Sequence, residues 1–286
     1  MAGLKEIRRR IVSVKNTKQI TRAMKLVSAA KLRRAQDAAI ASRNFRAKLH
    51  QALAPVVLAL PRDFEHRFVR RADGTGVRRA IVVSGERGLC GAYNTNVLKS
   101  VQAGEKISSL EVVGIGRRTV SSAKRLGWNL ISIFESFPED PAKWPIDEIA
   151  RQTTEDYLEG KCSEVVLYYT KFISAMTQQV TMERLLPLDP EELRGSGEGE
   201  VPNTEFDSPP IEMFQTLVPL YLRSKIREAA LESKASEHAA RMSAMDSATN
   251  NASDLIDRLR LFYNRARQST ITTELIDIVG GAEAVK

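Results

Sequence analysis

Cysteine is scarce in this 286-residue chain: Cys90 and Cys162 stand far apart and in no Cys-x-x-Cys spacing. That excludes a disulfide framework and predicts a reduced compartment in which both thiols are small buried apolar groups. Histidine is nearly as sparse, and His50, His66 and His238 have no ligand spacing to another His, Cys or carboxylate cluster, so metal chemistry is not indicated. No Gly-x-Ser-x-Gly element or Cys/His pairing supplies a nucleophile. No apolar run approaches the roughly 20 residues that cross a bilayer. The basic N-terminus lacks the apolar block of a signal peptide, and nothing like a transit segment precedes Lys5, which predicts a bacterial cytoplasmic product. The chain is expected to bind no cofactor or metal and to catalyse nothing by itself.

Charge, by contrast, is plentiful and uneven. The formal net charge is +8, yet residues 1–50 hold 14 Lys or Arg against Glu6 and Asp37, a net of +12. From Pro219 onward 10 basic residues nearly balance 9 acidic ones, which leaves the middle of the chain acidic. The 43% hydrophobic content is ordinary for a folded protein and argues against global disorder.

Proline and glycine are absent from both ends over unusual lengths. None interrupts the chain between Gly3 and Pro55, and Ile7, Ile11, Val14, Thr17, Thr21, Met24, Ser28, Leu32, Ala35 and Ala39 recur at steps of three and four. This spacing predicts one helix of roughly 75 to 80 Å that projects beyond any globular body. After Pro219 no glycine occurs until Gly280, and a second seam runs through Ala235, Ala239, Met242, Met245, Thr249, Ala252, Leu255, Leu259, Phe262, Ala266, Ser269, Thr273 and Ile276. A mean spacing near 3.4, close to the 3.5 of a heptad, predicts a left-handed coiled coil, antiparallel because the helices flank a compact middle. Its small residues make it slender, so it needs a surrounding partner for stability.

Between the helices, "RRAIVVSGERGLCGAYNTNVLKSV" reads as strand, glycine-rich turn and helix, and "LEVVGIGRRTVSSAKRL" repeats that order. "WNLISIF" and "SEVVLYYTKF" supply two more strands around a helix over residues 145–160, and "TQQVTMERLLPL" adds an edge strand. The alternation predicts a Rossmann-like α/β domain with a largely parallel sheet. The expected organisation is an N-terminal coiled-coil helix over 1–60, the α/β domain over 78–190, a polar linker over 191–210 and a C-terminal coiled-coil helix over 211–286.

The glycine turns do not spell a nucleotide site. "GERGLCG" is Gly-x-x-Gly-x-x-Gly, and "GIGRRT" has Thr119 where a dinucleotide fold needs its third glycine. A small nucleotide-binding enzyme built on 78–190 is therefore disfavoured. The basic helix has several readings. A solvated face is the plainest one. Nucleic acid would attract such a rod, yet no aromatic residue lies between Leu4 and Asn44. A membrane surface requires large apolar side chains opposite the charge. An acidic protein partner fits better.

Three blocks carry a family resemblance: "LKEIRRRIVSVKNTKQITRAMKLVSAAKLRRAQ", "RGLCGAYNTNV" and "ASEHAARMSAMDSATNNASDLIDRLRLFYNRARQSTITTELIDIVGGAEAV". In this order and over essentially the full length, the chain resembles the γ subunits of F-type ATP synthases, the non-catalytic central rotor shaft. The resemblance implies an antiparallel coiled coil threading an α3β3 ring, partnered also by an ε subunit and a membrane-embedded c ring, with no nucleic acid and only peripheral membrane attachment at the cytoplasmic face of the bacterial inner membrane. By position it implies contacts with the catalytic subunits or the upper bearing through Met24, Arg241, Arg267, Gln268, Thr272 and Val279. The spacing of Met24 alone suits a seam residue equally well. Arg8, Arg9, Lys18, Arg22, Lys25, Lys31, Arg33 and Arg34 would form the basic shaft. Phe206 and Asp207 match the foot that meets the c ring, although "FDSPP" exchanges the Ser and Pro that usually follow. The cysteine-bearing insertion of chloroplast relatives is absent, so thiol regulation is not expected.

Overall fold

The computed structural model describes residues 2–61, 64, 66–69, 76–189 and 206–283. In chain order the elements are α1 (Ala2–Leu58), β1 (Arg78–Val83), α2 (Tyr93–Gly104), β2 (Leu110–Ile115), α3 (Arg117–Leu126), β3 (Asn129–Phe134), α4 (Ile146–Leu158), β4 (Glu164–Phe172), β5 (Gln178–Leu186) and α5 (Pro210–Glu283). The expected linker over 191–210 lies, up to residue 205, outside the described residues. Two compact units partition the chain, Met1–Ser28 with Arg241–Lys286, and Ala29–Ala240. Proline does not delimit the terminal helices. Pro55 lies inside α1 and Pro219 inside α5, while α5 runs past Gly280 to Glu283. A proline removes one rung of the ladder, and the buried neighbours Val56, Val57 and Val218 hold the helix across that gap.

In the unit of Ala29–Ala240 the sheet order is β3-β2-β1-β4-β5. β1 pairs in parallel with β2 and β4, β2 in parallel with β3, and β5 closes one edge antiparallel to β4. The near-continuous apolar runs of β1, β2 and β4 suit strands covered on both faces. Side chains alternate across the sheet. Ala80 and Val82 face α2 and α3 with Val97, Val101 and Ala123, whereas Ile81 and Val83 join a larger core. That core takes Ile146 and Ile149 from α4, Leu53 and Val57 from α1, and Phe214, Leu222 and Ile226 from α5. Here too the terminal helices run antiparallel, since Arg43 pairs with Glu232 and Arg46 with Glu228.

One glycine is required by the ends of β1 and β2. Gly116 has φ +94°, and a Cβ on it would stand 2.4 Å from the Ser84 carbonyl oxygen. Gly116→Ala should therefore lower stability by about 3 kcal/mol, combining left-handed strain with overpacking. An unchanged urea midpoint would contradict this.

The other unit is a helix pair. Thr21 Oγ1 meets Thr249 Oγ1 at 2.8 Å and Lys25 Nζ meets Asp246 Oδ1 at 2.6 Å, so positions rise on α1 as they fall on α5. On α5 one inward stripe of buried and half-buried positions runs through Met245, Thr249, Ala252, Ile256, Leu259, Tyr263, Ala266 and Thr270. Steps of four and three alternate throughout, which is the heptad of a left-handed coiled coil. The sequence-based seam departs from it after Ala252. Leu255, Phe262, Ser269, Thr273 and Ile276 are exposed, and their neighbours Ile256, Tyr263 and Thr270 turn inward. On α1 likewise Thr17 is exposed and Lys18 is half-buried. The register explains the far end as well. Running back from Thr21 and Thr249, Ala2 comes opposite position 268, so the last turns of α5 have no α1 residue to cover them.

Candidate partner-binding surface

The ligand crevice of an open α/β sheet lies at the carboxyl ends of the strands, where strand order reverses. Here that point falls between β1 and β4, and the chain fills it itself. β4 continues past Tyr168, its last residue paired with β1, and its end docks on α5. The Thr170 N–H donates to Ser233 Oγ at 3.3 Å, Ser236 Oγ donates to the Thr170 carbonyl at 3.1 Å, and the Phe172 N–H donates to the Glu232 carboxylate at 2.8 Å. Arg43 of α1 binds the same carboxylate through Nη2 at 2.9 Å and the Phe172 carbonyl at 2.7 Å. The "RGLCGAYNTN" turn completes the socket. Asn94 accepts from the Gly85 N–H at 2.9 Å and donates to the Arg87 carbonyl at 3.3 Å, while Tyr93 donates its hydroxyl proton to the Ser233 carbonyl at 3.0 Å. Residues 232–239 of α5 are all buried. The glycine turns thus bring backbone close to a helix rather than to a phosphate.

A second tie joins the β3–α4 loop to both terminal helices. Glu139 lies 3.2 Å from Lys31 Nζ, 3.5 Å from Lys234 Nζ and 3.1 Å from His238 Nε2. Burial alone would raise this carboxyl, but Lys234, Lys31 and His238 outweigh burial and hold it below the usual glutamate value of 4.5. A depressed carboxylate contributes stability above its unfolded pKa and loses it as pH falls through the folded one. Glu139→Gln should therefore cost up to about 1 kcal/mol at pH 7, given the half-exposed carboxylate. The deficit should shrink as pH drops below about 4.5. Urea titrations at pH 7 and pH 3.5 check both signs.

Both cysteines are buried, and burial raises the Cys162 thiol to about 11. No His, Cys, Asp or Glu group that could hold a metal ion occurs among the described residues, and none of their helices is long and apolar enough to cross a membrane.

The remaining surface of functional character is the outside of the helix pair. Large apolar side chains normally face a core. Yet Val12, Ile20, Leu26 and Val27 of α1 and Leu255, Leu261, Phe262, Ile271, Leu275, Ile276, Ile278 and Val279 of α5 are exposed, Phe262 at 60% and Val279 at 61%. Cations stand among them. Arg8, Arg9, Arg22, Arg33 and Arg34 are exposed and Lys18 half-buried, whereas Lys25 and Lys31 are already neutralised by Asp246 and Glu139. Apolar groups and charge on one face mark a surface that another protein covers. Met24 and Arg241 are half-buried, with Met24 between the Thr21–Thr249 and Lys25–Asp246 ties. Arg267, Gln268, Thr272 and Val279 are exposed along the last turns of α5, where Thr272 Oγ1 donates to the Gln268 carbonyl at 2.9 Å. Asp207 is exposed, but half-buried Phe206 packs against the larger core, which leaves it less available as a foot contact.

A family model described as ATP synthase matches residues 3–285. The ATP synthase gamma chain of Geotalea daltonii is 40% identical over 294 residues, covering the whole of both chains. This chain belongs to the ATP synthase gamma chain family. The gamma chain of Pelotomaculum thermopropionicum is 39% identical, again over the full length of both. Among solved structures, the rotor of Euglena gracilis mitochondrial ATP synthase superposes with a TM-score of 0.68 at 17% identity, covering 94% of this chain and 99% of that one. That likeness bears on the fold. Members of the gamma family are non-catalytic central-stalk subunits, and here α5 occupies the crevice in which an open α/β sheet would hold a ligand.

The Arg43–Glu232 grip, the Glu139 tie and the docking of β4 on α5 all escape sequence reasoning. The available signal was the run "LESKASEHAA", in which charged and small residues occupy every face of a helix. That signal marks only a departure from amphipathicity and does not by itself say that the run is buried.

Proposed function

We propose that the chain turns as the shaft of a bacterial F-type ATP synthase, held peripherally at the cytoplasmic face of the inner membrane. Residues 1–60 and 211–286 form the shaft, which threads an α3β3 ring, 78–190 form a domain that stays outside that ring, and 191–210 form the foot. An ε subunit and a c ring complete the rotor, and Asp207 rather than Phe206 presents the foot's free side chain. Proton flow through the membrane sector turns the shaft. Each angle then presents a different profile of apolar and basic groups to three catalytic subunits, and differential contact energy shifts their nucleotide affinities in turn. Met24 and Arg241 serve the contact with the catalytic subunits, Arg267 and Gln268 clasp a β-subunit loop, and Thr272 and Val279 run in the upper bearing. Arg8, Arg9, Lys18, Arg22, Arg33 and Arg34 present the positive profile, with Lys25 and Lys31 committed to internal pairs.

The observation that carries this reading is the exposed apolar stripe of α5, continued past the reach of α1. Mixing the purified chain with α and β subunits should yield an ATPase whose rate depends on it. Unchanged activity and no co-migration would count against the proposal. Arg267→Ala removes an exposed side chain, so it should leave the urea midpoint unchanged to within about 0.5 kcal/mol. Loss of a charged interface contact should lower coupled proton pumping several-fold. Equal pumping per ATP in variant and parent membranes would remove Arg267 from the contact set.

A further inference from the structure

Lys18 occupies a seam position. Val14 precedes it and Thr21 follows it on the inward stripe of α1, and Lys18 is half-buried while Thr17 is exposed. Beside it the groove between the helices opens into a cavity of about 320 Å³, lined by Lys15, Lys18 and Arg22 of α1 and by Ser253, Asp257 and Arg260 of α5. Asp257 pairs with Arg260 at 3.3 Å. Among the described residues Lys15, Lys18 and Arg22 form no ion pair. The same helix pair neutralises Lys25 with Asp246 at 2.6 Å, so bringing a carboxylate across the groove is within its geometry. At the cavity the one carboxylate, Asp257, is already paired with Arg260 on its own helix, so the three α1 cations face it without an acid of their own.

We infer that this cavity is a binding site for a compact multivalent oxyanion of the diphosphate class. A monovalent anion would leave most of the converging charge uncompensated, whereas a diphosphate offers several acceptor oxygens to three flexible ammonium and guanidinium groups. The Gln19 amide and the Ser253 hydroxyl, both on the lining, add uncharged donors. The volume equals roughly ten waters, room for a diphosphate with part of its hydration shell. Diphosphate can arrive free or as the phosphate chain of a nucleotide. The inference does not depend on the shaft reading, because it concerns the isolated chain.

The test is calorimetric titration of the purified full-length chain with inorganic pyrophosphate at 0.15 M salt, in parallel with ADP and with adenosine. Pyrophosphate should bind one per chain and adenosine not at all. ADP binding at least tenfold tighter than pyrophosphate would assign the site to nucleotides, and equal or weaker binding to the free anion. The pair Lys18→Gln with Arg22→Gln should weaken pyrophosphate about tenfold, the effect of two lost charge contacts. Arg8→Gln with Arg9→Gln removes the same charge from α1 roughly 14 Å from Lys18, beyond the screening length of about 8 Å, and should change affinity by less than about threefold. Circular dichroism of both variants confirms that the helices persist. Absence of saturable pyrophosphate binding, or equal weakening by the two pairs, overturns the proposal, since the latter is general attraction to a basic rod.

Discussion

Replacing Glu232 by alanine is expected to cost about 3 kcal/mol of stability and to loosen the end of β4 from α5. The Glu232 side chain is 1% exposed and serves two donors at once, the Arg43 guanidinium and the Phe172 N–H. Without it the Phe172 N–H, on a buried residue, has lost its acceptor, while Arg43 can swing partly into water because 37% of its side chain is already exposed. Relief of repulsion from Glu228, one turn away, offsets part of the loss and keeps the estimate at the low end of about 3–5 kcal/mol for broken buried pairs. Glu232→Gln keeps an acceptor for the N–H and should cost about half as much. Urea unfolding gives the stability. Amide exchange at Phe172 gives the location, and a loss below about 1 kcal/mol with unaltered exchange there would refute the grip.

Met24→Lys is expected to separate hydrolysis from pumping while leaving the fold nearly intact. Met24 is half-buried beside Lys25, which pairs across the groove with Asp246. A lysine at 24 can send its stem along the groove and its head to water, so the cost to folding stays near 1 kcal/mol. It also competes with Lys25 for Asp246 and adds a free cation to the surface proposed to meet the catalytic subunits. A change of about 1–3 kcal/mol in one angular contact alters relative affinities by roughly 5- to 150-fold. ATP hydrolysis should persist while proton uptake per ATP falls several-fold in inside-out vesicles. The double variant Met24→Lys with Lys25→Gln should recover part of the coupling, since a single cation again faces Asp246. Equal pumping per ATP in parent and single variant would sink this account.

Much of the fold was legible beforehand because its signals are local. Apolar runs of β1, β2 and β4 beside glycine turns marked a parallel sheet, and α4 appears at 146–158 within the expected 145–160. The inner face of α5 was harder to read. Leu255 is as apolar as Ile256 and Phe262 more so than Tyr263, so hydrophobicity gave no reason against placing the first of each pair inward, and the structure turns Leu255 and Phe262 outward at 45% and 60% exposure. Periodicity reports which residues share a face. It cannot tell the face that meets the partner helix from one kept for another protein when both are apolar. Among the candidate contacts, the same ambiguity surrounds Met24 and Phe206, which pack partly inward.

The sequence by itself determined two long uninterrupted terminal helices, an α/β middle, a basic N-terminal rod and the family, because each rests on spacing, composition or residue blocks along the chain. Only the tertiary structure decided that Lys25 and Lys31 are spent on Asp246 and Glu139, that Lys18 sits in the groove unpaired while Asp257 is held by Arg260, and that α5 fills the crevice of the sheet. Those outcomes depend on pairings between residues about 60 to 220 positions apart, and no local pattern along a chain encodes the register in which two distant helices meet.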